Sequence, residues 1–185
     1  MSKNIVLIRF SSRERGNCAA ISTHIAKFYA AHTVSKYIIS EEVVEPCNHC
    51  NYECLTPGKS CPNINAEQLQ VMDAICSADL VYFIIPNYCG YPCANYFVFN
   101  ERTVGYFNMN SALRQKYMEV PKRFIVISNT EGRNFEDTLK QQVIRAPEIL
   151  YMKTGKYHKR STDGDMMEST EAKADLDAFL AMESV

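Results

Sequence analysis

Residues 80–85 read Leu-Val-Tyr-Phe-Ile-Ile, an apolar run in which no charged residue marks a side facing water. Residues 5–10 (Ile-Val-Leu-Ile-Arg-Phe) and 123–128 (Arg-Phe-Ile-Val-Ile-Ser) follow nearly the same pattern. A strand that is covered on both faces has this composition, whereas a strand with one wet face alternates apolar and polar residues. The three runs therefore predict buried strands of a parallel sheet. Weaker strand patterns cover residues 34–40 and 148–153.

Helical patterns separate these strands. They span residues 17–31, 65–77, 93–107, 111–118, 135–145 and 171–182. Because strands and helices alternate along the chain, we expect an α/β domain with helices on both faces of one sheet. The 185 residues contain no repeat, low-complexity stretch or linker, so the sequence predicts a single domain over residues 1–185.

Composition and charge exclude several classes of protein. The chain has 20 Lys+Arg against 21 Asp+Glu, whereas a nucleic-acid-binding protein usually has a basic surface. No apolar run approaches the roughly 20 residues that cross a bilayer, and the residues after Met1 lack the cleavage site of a secretory signal. We therefore expect a cytoplasmic protein with neither a nucleic-acid nor a membrane partner.

The loop after the first predicted strand has the composition of an anion site. Residues 11–17 read Ser-Ser-Arg-Glu-Arg-Gly-Asn and lead into a helix. Peptide N–H groups, the helix dipole and arginine side chains favour a phosphate there, and a capped turn with solvated arginines is the alternative. No two of the seven glycines are closer than nine residues, which excludes the dinucleotide fingerprint G-x-G-x-x-G.

Two further loops follow predicted strands. Residues 86–92, Pro-Asn-Tyr-Cys-Gly-Tyr-Pro, suit a planar ring stacked on Tyr88, and an ordinary turn with partly buried tyrosines is the alternative. Residues 128–132, Ser-Asn-Thr-Glu-Gly, offer hydrogen bonds to a ring edge or a cap for the next helix. The basic run 153–160 is interpreted as a solvated loop, with binding of a nicotinamide-cofactor phosphate as the alternative.

Together these loops resemble those of the NAD(P)H-dependent FMN reductases, a family of flavodoxin-like flavoproteins. The family's phosphate loop typically reads G-S-P-R-x-x-G-N-[ST], and residues 10–18 keep Arg13, Gly16 and Asn17 in register. Its flavin loop, P-x-Y-x-G, matches residues 86–90. The resemblance covers residues 1 to about 130.

The resemblance implies a flavodoxin-like three-layer α/β/α sandwich with a five-stranded parallel sheet of order 2-1-3-4-5. It also implies FMN at the carboxyl edge of the sheet, NAD(P)H as co-substrate, and a homodimer or higher homo-oligomer. The implied cofactor-binding residues are Ser11, Arg13, Asn17 and Cys18 around the phosphate, with Pro86, Asn87, Tyr88, Cys89, Gly90, Ser128, Asn129 and Gly132 around the ring. No catalytic side chain is expected, because a flavin carries the chemistry itself.

Four of the eight cysteines form a Cys-rich insert over residues 47–61, namely Cys47, Cys50, Cys54 and Cys61. Clustered thiols in a cytosolic protein bind metal or do redox work more often than they form disulfides. Their spacing resembles the compact motif of the iron–sulfur flavoproteins, which implies a four-iron four-sulfur cluster on these thiolates. A zinc site and a loop without metal are the alternatives. His49, inside the insert, is expected to be a surface-loop residue.

Three functions follow from these patterns. The favoured one is an FMN-dependent oxidoreductase that passes electrons from NAD(P)H to a quinone, flavin or similar acceptor. The second is an iron–sulfur flavoprotein that carries electrons received from ferredoxin. The third is a regulatory or zinc-bearing protein that has the flavodoxin fold without flavin. In the first two, a small molecule or a protein is the electron partner.

Overall fold

The computed structural model describes residues 2–40, 43–47, 50–132 and 134–182. Its strands are β1 (Asn4–Arg9), β2 (Thr33–Ile38), β3 (Leu80–Tyr88), β4 (Tyr91–Pro92), β5 (Lys122–Ser128) and β6 (Glu148–Lys153). Its α-helices are α1 (Asn17–Phe28), α2 (Ala66–Cys76), α3 (Ala94–Phe107), α4 (Ser111–Glu119), α5 (Phe135–Leu139) and α6 (Thr170–Ala181). None of these helices is long and apolar enough to cross a membrane.

Five of the strands form a parallel sheet in the order β2-β1-β3-β5-β6. The two-residue strand β4 pairs antiparallel with the end of β3 and lies off this path. Counted among the parallel strands alone, the order is the predicted 2-1-3-4-5. The strand order reverses between β1 and β3, so their carboxyl ends flank the place where such sheets bind ligands.

The sheet separates two apolar cores. Val6 and Ile8 of β1 point into a core that is closed by α2, α3, α4 and α5. Ile5 and Leu7 point to the opposite face, where α1 and α6 cover the sheet. Successive side chains of a strand face opposite sides, so strands buried between two helix layers must be apolar at every position. This explains the continuous apolar runs and confirms the predicted three-layer sandwich.

The strand β3 extends further than the sequence predicts. Its apolar run stops at Ile85, but the strand continues to Tyr88 and turns back into β4. Cys89 and Gly90 form the turn with φ values of 53° and 88°. Two consecutive residues with positive φ form the tight hairpin turn whose twist matches that of the strands. The predicted flavin loop is therefore a β-hairpin.

The helix α5 is shorter than predicted. It ends at Leu139 and continues as one 3-10 turn to Gln142, whereas the sequence pattern predicts a helix to residue 145. The Gln142 side chain is buried, accepts a hydrogen bond from the Tyr117 hydroxyl at 2.5 Å and donates one to Asn100 Oδ1 at 2.7 Å. These long-range bonds hold the chain away from a helical path.

Candidate functional site at the carboxyl edge of the sheet

The three loops predicted to bind a ligand meet at one edge of the sheet. The Cys93 thiol, at the start of α3, donates to the Phe10 carbonyl at 3.2 Å and ties the β3–β4 hairpin to the first loop. Asn87 Nδ2 lies 2.5 Å from Ser128 Oγ and 3.3 Å from Thr130 Oγ1. The parallel neighbours β1, β3 and β5 thus bring the predicted phosphate and ring residues together.

The helix α1 begins with free N–H groups at this edge. Gly16 occupies the N-cap position in an extended conformation, and no side chain caps the helix. The peptide N–H groups of Asn17 and Cys18 belong to the first turn, where a helix offers no acceptor of its own. These donors and the positive end of the helix dipole favour an anion.

The Asn17 side chain contains an orphaned donor. Only 4% of Asn17 is exposed, and its Oδ1 accepts a hydrogen bond from the Met166 peptide N–H at 3.0 Å. Its Nδ2 is buried and has no acceptor within the described residues. Since buried polar groups are almost always hydrogen-bonded, this amide is suited to an acceptor that a ligand brings, such as a phosphate oxygen.

Residues 161–166, here called the strap, pack against the same loop. The Arg13 guanidinium donates to the Thr162 carbonyl at 2.8 Å. Gly164 has a φ of +73°, and a Cβ at this position would lie 2.0 Å from the Arg15 carbonyl oxygen. Arg13 therefore holds the strap in this structure, and its contact with a phosphate stays a prediction.

A second arginine, which the sequence reasoning missed, lies beneath the loop. Arg9 is the last residue of β1, and only 8% of it is exposed. Its Nη1 lies 3.5 Å from the Arg13 carbonyl, the outer limit of a hydrogen bond. No carboxylate of the described ranges forms an ion pair with it. The available signal was its position as the one charged residue in the apolar run 5–10.

Ser11 and Cys18 lie next to each other at the base of the loop. Burial, with a smaller contribution from Cys93, raises the pKa of the Cys18 thiol to about 12, although its hydrogen bond with Ser11 and the charge of Arg9 oppose the rise. The thiol is therefore neutral at physiological pH. A neutral thiol is a weaker donor than the Ser or Thr hydroxyl of the loop motif that these residues resemble.

The hairpin exposes two aromatic rings. Tyr88 is 60% exposed and faces Tyr91, which is 50% exposed, across the β3–β4 pairing. Asn87 Oδ1 accepts from the Gly90 peptide N–H at 2.9 Å and fixes the turn. The exposed Cys89 lies at the tip. Tyr88 is thus exposed, and its stacking on a planar ligand stays a prediction. Pro86 and Asn87 lie within the strand.

The third loop is tied to the strap. Asn129 donates to Ser161 Oγ at 3.0 Å and accepts from Thr154 Oγ1 at 3.1 Å. The buried Ser128 accepts from the Thr130 peptide N–H at 3.0 Å. Gly132 packs on Tyr151, where a Cβ would lie 2.5 Å from the ring. These contacts order the loop beside the hairpin, and contacts of Ser128, Asn129 and Gly132 with a ring stay predictions.

The structure does not support the predicted cluster at Cys47, Cys50, Cys54 and Cys61. The four thiols do lie near one another. Burial raises the pKa of the Cys54 thiol, and the nearby Cys61, Cys47 and Cys50 raise it further. However, no group of three or more His, Cys, Asp or Glu within the described ranges is placed to hold a metal ion. His49 lies outside those ranges.

An arginine, Arg102, lies among these thiols. It is 99% buried, its Nη1 donates to Cys47 Sγ at 3.4 Å and its Nη2 to the Asn63 carbonyl at 2.5 Å. Gln68 Oε1 accepts from its Nε at 3.4 Å. A buried arginine side chain thus places a positive charge beside the sulfur of Cys47.

The basic run 153–160 is largely neutralised by its neighbours. Lys153 pairs with Glu131 at 2.6 Å, Lys156 with Asp175 at 2.5 Å, and Lys159 with Asp165 at 2.8 Å. The run is not a solvated loop throughout: Lys153 ends β6, and Thr154–Tyr157 form a 3-10 turn in which Thr154 and Tyr157 are buried. Binding of a nicotinamide-cofactor phosphate stays a prediction.

Comparison with known proteins shows a likeness of structure alone. No family model and no curated protein matches the chain. The Trp repressor binding protein from Bacillus subtilis superposes with a TM-score of 0.65 at 11% identity, over 98% of this chain and 99% of that one. A putative quinone reductase from Klebsiella pneumoniae gives 0.59 at 12% identity, over 100% and 87%. FerB, a flavoenzyme NAD(P)H:(acceptor) oxidoreductase from Paracoccus denitrificans, gives 0.54 at 15% identity, over 96% and 95%. With this sheet order and these neighbours, the chain has the flavodoxin-like fold that the sequence resemblance implies.

Proposed function

We propose that the chain is an FMN-dependent oxidoreductase that takes electrons from NAD(P)H and passes them to a quinone, flavin or similar acceptor. The observation that carries the proposal is the orphaned Asn17 amide at the uncapped N-terminus of α1. It lies at the edge where the strand order reverses, the usual ligand site of such sheets. Two of the structural neighbours, the putative quinone reductase and FerB, have names that state this chemistry.

The residues present fit the phosphate end of FMN. Asn17 Nδ2 and the N–H groups of the first turn of α1 would bind the phosphate. Gly16 lets the turn before the helix pack tightly, because a Cβ added at this position would lie 3.2 Å from Arg13 Cβ. The loop between β1 and α1 lacks the glycine-rich turn of dinucleotide sites. This favours a mononucleotide such as FMN over a dinucleotide as the ligand.

The hairpin and the third loop would hold the ring. When bound, FMN accepts a hydride and releases electrons singly or in pairs. The chain contributes position and shelter: Tyr88 and Tyr91 offer aromatic faces, and peptide groups near Gly90 lie at the edge of the same surface. An acceptor with a planar ring would stack on the side that the tyrosines leave open.

Flavin titration and turnover test the proposal. The purified protein is titrated with FMN and with riboflavin under anaerobic conditions, and the FMN-loaded protein is then mixed with NADH or NADPH. We expect FMN binding, bleaching of the flavin absorbance by one of the two nicotinamides, and reoxidation by a benzoquinone. A protein that binds neither flavin would refute the proposal.

The electron-carrier alternative depends on an iron–sulfur cluster, which the described cysteines do not support. The same experiment separates it from the enzyme. A carrier would be reduced by reduced ferredoxin and not by either nicotinamide, and iron analysis after anaerobic reconstitution would find several iron atoms in each chain.

A further inference from the structure

Among the residues that the structure describes, Arg9 has no anionic partner, although its side chain is buried. It pairs in register with Ile38 of β2 and Ile84 of β3, so its backbone lies inside the sheet. Side chains alternate along a strand, so Arg9 points to the same face as Ile5 and Leu7, the face that α1 covers. Its guanidinium therefore lies under the N-terminal turn of α1, next to the Arg13 carbonyl.

The charge of Arg9 acts on the first turn of α1. It lowers the pKa of the Cys18 thiol, in opposition to the larger effect of burial. A cation removed from water is costly unless an anion compensates it. Within the described residues no carboxylate forms an ion pair with Arg9. Of the two acids of the strap, Asp165 pairs with Lys159 at 2.8 Å and Asp163 accepts from the Thr162 hydroxyl at 2.7 Å.

The two arginines of the loop itself, Arg13 and Arg15, are both exposed. Arg13 also donates to the Thr162 carbonyl of the strap at 2.8 Å. The buried donors at this helix terminus are therefore the Arg9 guanidinium, which has no anionic partner among the described residues, and the Asn17 amide, whose Nδ2 has no acceptor there. Both are more than nine-tenths buried, and both lie at the same uncapped helix terminus.

We propose that Arg9 supplies the counter-charge for the flavin phosphate from beneath the loop, and that it makes the site selective for phosphorylated flavin over riboflavin. The inference rests on the proposed function, which it extends to the choice of cofactor. A phosphomonoester carries about two negative charges near neutral pH, so one arginine and a helix terminus match it. Riboflavin has the same ring and ribityl chain but no such charge.

Three variants test this role. Arg9→Met removes the charge but keeps the length of the side chain, Arg9→Lys keeps the charge, and Arg145→Met removes an exposed arginine just before β6, at the opposite edge of the sheet. Each is titrated with FMN and with riboflavin by flavin fluorescence. Thermal unfolding without flavin is measured in parallel, because a purely structural arginine would lower the melting temperature when it is replaced.

We expect Arg9→Met to weaken FMN binding by about 10- to 100-fold and riboflavin binding by less than about 3-fold, since a hydrogen bond to a charged group is lost. Arg9→Lys should recover part of the FMN affinity, and Arg145→Met should change neither. The flavin-free melting temperature of Arg9→Met should stay level or rise, because an unpaired buried charge disappears.

Two results would overturn the inference alone while FMN still binds the unaltered protein. One is an equal loss of FMN and riboflavin affinity in Arg9→Met, and the other is an unchanged FMN affinity in that variant. If the unaltered protein binds neither flavin, the proposed function fails first and this inference fails with it.

Discussion

At the scale of single residues, Asn17 joins two roles that a substitution can separate. Its Oδ1 accepts from Met166 of the strap, and its Nδ2 is free for a ligand. Asn17→Asp keeps the acceptor and places a negative charge at the helix N-terminus, where it stabilises α1 by about 0.3–1 kcal/mol. The same charge repels a phosphate, so FMN binding should weaken by at least about 2 kcal/mol. Calorimetric titration and urea unfolding check the two effects, and an unchanged FMN affinity would remove Asn17 from the phosphate site.

Lys122 shows how a buried charge shapes the response to pH. Its Nζ donates to the carbonyls of Tyr117 and Val120 at the end of α4 and lies 4.2 Å from the centre of the Tyr117 ring. Burial lowers its pKa from 10.5 to about 7. Above pH 7 the unfolded chain therefore binds more protons than the folded chain, and the free energy of unfolding rises with pH. Below pH 7 both states are protonated and the full penalty of the buried charge remains.

The prediction concerns the range from pH 7 to pH 8.5. The free energy of unfolding should rise there by up to about 1.4 kcal/mol per pH unit. Lys122→Met should flatten this rise, and the exposed Lys116→Met should leave it intact. Urea unfolding at several pH values measures the slopes. Equal slopes in all three proteins would show that Lys122 keeps an ordinary pKa.

At the scale of elements, the β3–β4 hairpin depends on two residues with positive φ. Gly90, at 88°, adopts this conformation without strain, whereas Cys89, at 53°, has a Cβ that opposes it. Gly90→Ala should lower the free energy of unfolding by about 1–2 kcal/mol, and Cys89→Gly should not lower it. Both are measured by urea unfolding. If Gly90→Ala is neutral, the turn has a different conformation in solution.

The same hairpin shows what the sequence can and cannot predict. The apolar runs place β1 and β5 to within a residue, because burial between two helix layers leaves a local pattern. The weaker pattern over residues 148–153 matches β6. The continuation of β3 to Tyr88 escapes, because a Cys-Gly turn lacks the usual Asn-Gly signature and the pairing partner is only two residues long. The shortening of α5 escapes as well, because the bonds of Gln142 to Tyr117 and Asn100 span 25 and 42 residues.

The candidate site divides in the same way. The three loops could be predicted, because ligand loops follow the ends of parallel strands. The role of Arg9 could not be predicted. The sequence shows a charged residue in an apolar run, but not which helix covers its side chain. The structure does not support the predicted cluster, and spacing alone could not show this: it identifies thiols that come close, but not that Arg102 donates to one of them.

At the scale of the whole molecule, the strap connects the C-terminal part of the chain to the phosphate loop. Gly164 is its closest approach: a Cβ there would lie 2.0 Å from the Arg15 carbonyl, and its φ of +73° disfavours any other residue. Gly164→Ala should therefore lower the free energy of unfolding by at least about 2 kcal/mol, through backbone strain and displacement of the loop.

A matched glycine makes this prediction specific. Gly155 lies in the 3-10 turn after β6, and a Cβ there meets no atom within 4 Å, so Gly155→Ala should be close to neutral. The strap also forms hydrogen bonds with Arg13 and Asn17. Gly164→Ala should therefore weaken FMN binding more than riboflavin binding, although Gly164 lies on none of the three predicted ligand loops. Urea unfolding and titration with the two flavins measure both effects. If the two variants have the same stability and the same flavin affinities, the strap does not pack tightly against the phosphate loop in solution. The conformation of that loop would then depend on β1 and α1 alone.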